Sequence, residues 1–129
     1  MRRAIMFATA LATTLVAAPA AIRAAPDQTL GMALMSALVR QDGMLLGGAG
    51  ATSSSRHQTG RYRVFFNRSV VGCDYVATRS HFIENAHMDP ATISTAPSAD
   101  SADGVWVVVQ EADGTDVDRV FRLIVFCPK

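Results

Sequence analysis

From Ala51 to Cys127 apolar and polar residues alternate with a period of two, the signature of half-buried β-strands rather than amphipathic helices. In the run from Arg61 to Asn67, Tyr62, Val64 and Phe66 share one face while Arg61, Arg63 and Phe65 share the other. The run from Ala51 to Arg56 leads into it through His57-Gln58-Thr59-Gly60, which predicts a hairpin. After a corner at Asn67-Arg68-Ser69, Val71, Cys73, Tyr75 and Ala77 fall on one side of the next strand. VWVVVQEA and RVFRLIVFC are the strongest strand candidates, and the turn residues Asp113-Gly114 between them predict that they pair as a hairpin. In the second, Phe121, Leu123, Val125 and Cys127 lie on one face, and Val120, Arg122, Ile124 and Phe126 on the other. Both faces are largely apolar, which predicts a central strand covered twice. One cover is the core; the other is a neighbouring subunit or a loop.

The rest of the chain is less periodic. Over residues 27–39, Leu30, Leu34 and Leu38 recur at helical spacing, whereas the overlapping LVRQDGMLL reads as strand, Asp-Gly turn, strand. Short apolar runs leave both readings open. Met32, Met35 and Met44 are expected as core filler. Gly47, Gly48 and Gly50 interrupt the pattern as a bulge or a close backbone approach would, and no phosphate-loop motif surrounds them. Residues 84–104, rich in Ala, Ser, Thr, Asp and Pro, read as a long surface loop with a short strand at Thr92 to Thr95. These elements predict an all-β fold, a single antiparallel β-sandwich, jelly-roll-like, of about seven to eight strands over residues 36–129, with residues 25–35 as an N-terminal segment.

Residues 1–24 carry a different signal. Arg2 and Arg3 form a basic head, an apolar stretch runs from Ala4 to Ala18, and small residues crowd its end. This is the pattern of a secretory signal peptide, too short for a stable transmembrane span, which needs about 20 apolar residues. Ala18-Pro19-Ala20 and Ile22-Arg23-Ala24 compete as cleavage sites, with Ala24 preferred. Removing residues 1–24 takes three arginines and no acids, so 12 minus 11 becomes 9 minus 11, a net charge of −2 on the mature chain. That balance argues against nucleic acid or an anionic membrane as the main partner. The 129 residues less 24 leave 105, enough for one domain. Only two cysteines are present, Cys73 and Cys127, and in an oxidising compartment they are expected to pair with each other.

At GRYRVFFNRSVVGCDYVAT, followed by GVWVVVQ and DRVFRLIVFC, the chain resembles a family of small bacterial and phage-associated domains of largely unknown function. Their pattern is a tyrosine-bearing strand, a Phe-Asn turn, a Gly-Cys strand, a variable loop, a Val-rich strand and a terminal Phe-x-Leu-x-Val-x-Cys strand. The resemblance covers residues 36–127 and includes LVRQDGMLLGG, where relatives tend to read DGTLVRG. It implies a compact sandwich of the tail-fibre or complement-head type, often trimeric. No catalytic residues come with it.

Candidate chemistry is sparse. His81, Glu84, His87 and Asp89 combine imidazole and carboxylate within nine residues, the donor set of a zinc or copper site, but the spacing matches no strong metal motif and a solvated loop is expected. Ser53, Ser54 and Ser55 stand near His57 without a nucleophile elbow. Asp100, Asp103, Glu111, Asp113, Asp116 and Asp118 sit in turns or loops, where acids serve solubility and Asx turns. Arg56, Arg61, Arg63 and Arg68 cluster on and around one strand and could receive an anionic glycan or an acidic partner; the plainer expectation is that they pair with neighbouring aspartates. Trp106 falls opposite Val105, Val107 and Val109, and core burial is expected for it ahead of a sugar-stacking platform. The function expected is therefore an exported, non-enzymatic module for interaction or assembly, without a cofactor. Its partner is a second and third copy of itself, another exported protein or a glycan. A monomeric periplasmic binder or inhibitor is the alternative, with a loop metal site or enzyme third.

Overall fold

A computed structural model describes residues 32–81 and 90–128. Residues 1–24, expected to be a signal peptide, and residues 25–31 lie outside them. Among the described residues eight strands form: β1 (Ala33–Val39), β2 (Leu45–Gly47), β3 (Ala51–Gln58), β4 (Arg61–Phe66), β5 (Asp74–Arg79), β6 (Thr92–Pro97), β7 (Gly104–Gln110) and β8 (Phe121–Cys127). They build two four-stranded antiparallel sheets, sheet 1 in the order β2-β1-β8-β5 and sheet 2 in the order β3-β4-β7-β6. The all-β antiparallel sandwich is the one that the alternation predicts.

The open choice over residues 27–39 resolves as strand within the described part. Met35, Ala37 and Val39 are buried while Leu34 is 62% exposed, so the side-chain period is two and Leu34 and Leu38 face outward, with Leu30 outside the described residues. β1 pairs with β8 along its whole length, from Ala33↔Cys127 to Val39↔Phe121. The sandwich therefore begins at Ala33 rather than at residue 36, because the ladder to β8 needs those first residues. Of the methionines expected in the core, only Met35 is there; Met32 and Met44 are 63% and 52% exposed.

Tyr62, Val64 and Phe66 from β4 and Val105, Val107 and Val109 from β7 meet Phe121, Leu123, Val125 and Cys127 from β8 in one core. The expected hairpin of β3 and β4 forms. Two expectations fail. Val71 is 71% exposed: the chain is still rounding the corner there, Cys73 N–H donates to Val70 O at 3.1 Å, and the buried Val70 fills the core in its place. The hairpin of β7 with β8 does not form either. It starts, with Glu111 N–H to Thr115 O at 2.8 Å and Val117 N–H to Val109 O at 3.1 Å, but both edges of β7 are already taken by β4 and β6. The chain crosses over residues 117–120 into sheet 1, where β8 inserts between β1 and β5.

One further contact ties the two sheets together, and a disulfide braces sheet 1. At the crossing from β2 to β3, Gly48 (φ +149°) passes so close to β1 that a Cβ would lie 2.1 Å from Ser36 O, and Ser36 N–H donates to Ala49 O at 2.9 Å. The glycine run thus serves a close backbone approach. Cys73, just before β5, and Cys127, at the end of β8, form a disulfide with Cα atoms 4.3 Å apart.

Candidate functional site

The most densely bonded polar group sits where β7 crosses to β8. Arg56 grips the Asp118 carboxylate with both arms of its fork, Nε to Oδ1 at 2.9 Å and Nη2 to Oδ2 at 2.8 Å. Gly60 N–H donates to the same Oδ1 at 2.8 Å, and the Tyr62 hydroxyl lies 3.0 Å from it and 2.8 Å from Gln41 O. Partial burial pushes the Asp118 carboxyl upward, but the bonds from Arg56, Gly60 and Tyr62 outweigh it and hold the group below the ordinary carboxylate range. Burial first, and then the bond to Asp118, raises the Tyr62 phenol well above its usual value. Both carboxylate oxygens are bonded, Oδ1 by three donors and Oδ2 by Arg56, and the cluster is a structural knot. It ties the β1–β2 turn, the β3–β4 hairpin and the crossover together.

The outer face of sheet 2 has a different character. Alternation along β7 turns Val105, Val107 and Val109 into the core and puts Trp106 outside, half-buried on the surface. This corrects the expectation of core burial: three fully buried valines occupy that side of the strand. Arg63 and Trp106 are direct cross-strand partners, and the guanidinium carbon lies 4.4 Å from the indole centroid. His57 meets the same indole edge-on at 5.3 Å. Arg63 is anchored in turn by Asp100 at 3.2 Å. One strand register further, Arg61 Nε donates to Asp116 at 3.1 Å, and Gln110 donates to the other oxygen at 2.8 Å. Those two bonds, Gln110's the stronger, hold Asp116 below the ordinary carboxylate range; Asp100 is lowered chiefly by the hydroxyl of Ser98 and in part by Arg63.

The four arginines are thus not one patch. Arg61 and Arg63 share the outer face of sheet 2, Arg56 is committed to Asp118, and Arg68 stands exposed in the corner beyond the far end of β4. Three further acids of the turns are also engaged: Glu111 takes Arg119 at 2.7 Å, Asp113 takes Thr115 N–H at 2.9 Å and Asp103 takes the Ser101 hydroxyl. Ser54 Oγ donates to Gly43 O at 2.7 Å, a structural bond across the β1–β2 turn. Of the metal candidates, His81 is exposed, and Glu84, His87 and Asp89 lie outside the described residues. Among the described residues no group of three or more His, Cys, Asp and Glu side chains could hold a metal ion.

The outer face of sheet 1 is apolar at its centre. Leu34, Phe126 and Asp74 form one cross-strand row, Ser36, Ile124 and Val76 the next, and Leu38, Arg122 and Thr78 the third. Leu34 is 62% and Val76 50% exposed; Ile124 and Phe126 are half-buried. Along β1 and β8 these residues border a shallow groove closed by Ser36, Ala49 and Arg122. Periodicity along β8 had pointed to this second apolar face. Nothing in sequence spacing pointed to the pairing of Tyr62 with Asp118, 56 residues apart, or to His57 beside Trp106. The chain matches no known family, curated protein or solved structure.

Proposed function

We propose that this chain is an exported, non-enzymatic β-sandwich module that assembles with copies of itself through the outer face of sheet 1. The observation that carries the reading is the run of Leu34, Leu38, Val76, Ile124 and Phe126 across three adjacent strands, with Leu34 and Val76 half-exposed or more. An apolar patch on a sheet face marks an interaction surface, and in a closed ring such a face packs against a different part of the neighbouring copy. Export is supported by the basic head and apolar run of residues 1–24 and by the disulfide made from the chain's two cysteines. A trimer is the order that the tail-fibre and complement-head resemblance implies.

Light scattering after size-exclusion chromatography tests this directly. A trimer mass is expected for the mature protein, and Ile124→Glu, which puts a charge at the middle of the patch, is expected to give a folded monomer with an unchanged circular-dichroism spectrum. A wild-type monomer would overturn self-assembly and favour the monomeric binder or inhibitor, whose partner would then be sought with the same apolar face as bait.

A further inference from the structure

The outer face of sheet 2 holds a hollow of about 290 Å³ lined by His57, Gln58, Arg61, Trp106 and Val108, near the lower end of the ~300–1,000 Å³ typical of small-ligand sites. Its lining combines three chemistries. Trp106 and Val108 supply an apolar wall. His57 and Gln58 supply hydrogen-bonding groups. Arg61, with its side chain 43% exposed, has only Nε engaged by Asp116, which leaves its two terminal nitrogens as parallel donors. The wall is fixed in advance, because the indole is clamped by the Arg63 guanidinium at 4.4 Å and by the His57 ring at 5.3 Å, and Arg63 is held by Asp100. A site whose side chains are already ordered loses less entropy when it binds.

We propose that this hollow binds a carboxylate-bearing sugar ring, an anionic pyranoside, with the carboxylate on the terminal nitrogens of Arg61, the hydroxyls on His57 and Gln58, and a C–H face of the ring against Trp106 and Val108. A simple inorganic anion would use Arg61 and leave the aromatic wall without a function. A neutral sugar would use the wall and leave the guanidinium fork unmatched. A sugar ring with both a carboxylate and an apolar face engages all five residues. The site is on the opposite sheet from the assembly face, so the two readings stand or fall separately.

Trp106 is the chain's sole tryptophan, so its emission reports on the site without a label. The whole protein is titrated with methyl glucuronide, methyl glucoside and sodium sulfate at matched ionic strength. A saturable change in emission is expected with the glucuronide, at least about tenfold weaker binding with the glucoside, and no saturable change with sulfate. Arg61→Gln is expected to abolish the preference for the acid, and Arg61→Lys, which keeps the charge but loses the fork, to retain only part of it. Circular-dichroism spectra of Arg61→Gln and Arg61→Lys check that both variants are folded when the comparison is made. Equal binding of glucuronide and glucoside, binding of sulfate as tight as that of glucuronide, a preference that survives Arg61→Gln, or no saturable response to any of the three would overturn the proposal.

Discussion

Asp118 shows how much a single side chain can organise. Its two oxygens receive Arg56 bidentately, a backbone N–H and a phenol, and hydrogen bonds to a charged group are worth about 1.5–3 kcal/mol each in favourable settings. Asp118→Asn keeps the shape but loses the charge that matches Arg56, and a decrease in unfolding free energy of about 2 kcal/mol is expected by urea titration. The pH dependence has a definite sign. The folded carboxyl is lower than its unfolded value near 3.9, so its contribution is complete above about pH 4 and is lost as pH falls through the folded value. Urea midpoints measured downward from pH 5 are therefore expected to fall less steeply in Asp118→Asn than in the wild type. The slope does not vanish, because Asp42, Asp100, Asp113 and Asp116 are also lowered.

At the scale of elements, the β3–β4 turn and the β7–β8 crossover are built against each other. Val109 N–H donates to Gly60 O at 2.7 Å, and Gly60 adopts φ +69° with a would-be Cβ only 2.6 Å from Val109 O. Gly60→Ala combines a left-handed backbone with a backbone clash and is expected to cost more than about 2 kcal/mol in thermal or urea unfolding. This contact also explains why the strands were legible in the sequence and one of their pairings was not. Alternation located β4, β7 and β8 because each buries one face. It is silent about which edge a strand offers, and the Asp113-Gly114 turn is a genuine local hairpin signal. That signal is overruled after the Gln110↔Asp116 bridge because β4 and β6 already flank β7. The same limit applies to the candidate site. The outward position of Trp106 follows from three valines of opposite parity, but His57 reaches it only through the β3–β4 register, which a pattern along one strand does not contain.

For the molecule as a whole, the disulfide is the covalent brace of sheet 1. It spans 54 residues of sequence, and chain-entropy arithmetic for a loop of that length gives about 4 kcal/mol, comparable with the net stability of a small domain. Replacing both cysteines by alanine is expected to lower the unfolding free energy by roughly that amount, and urea titration of the oxidised wild type against reduced protein provides the same comparison without a mutation. The two strands joined by this bond also frame the apolar face, since Asp74↔Phe126, the register pair beside it, opens the first row of that face. Loss of the brace is expected to loosen that row first.

Ala33 and Cys127 are register partners in neighbouring strands, so the chain enters and leaves the sandwich side by side. Tension applied between those two points would unzip β1 from β8 one rung at a time rather than slide the strands past each other, while the cystine keeps β8 tethered to the start of β5. Such a load would divide sheet 1 between its two central strands, parting β2-β1 from β8-β5.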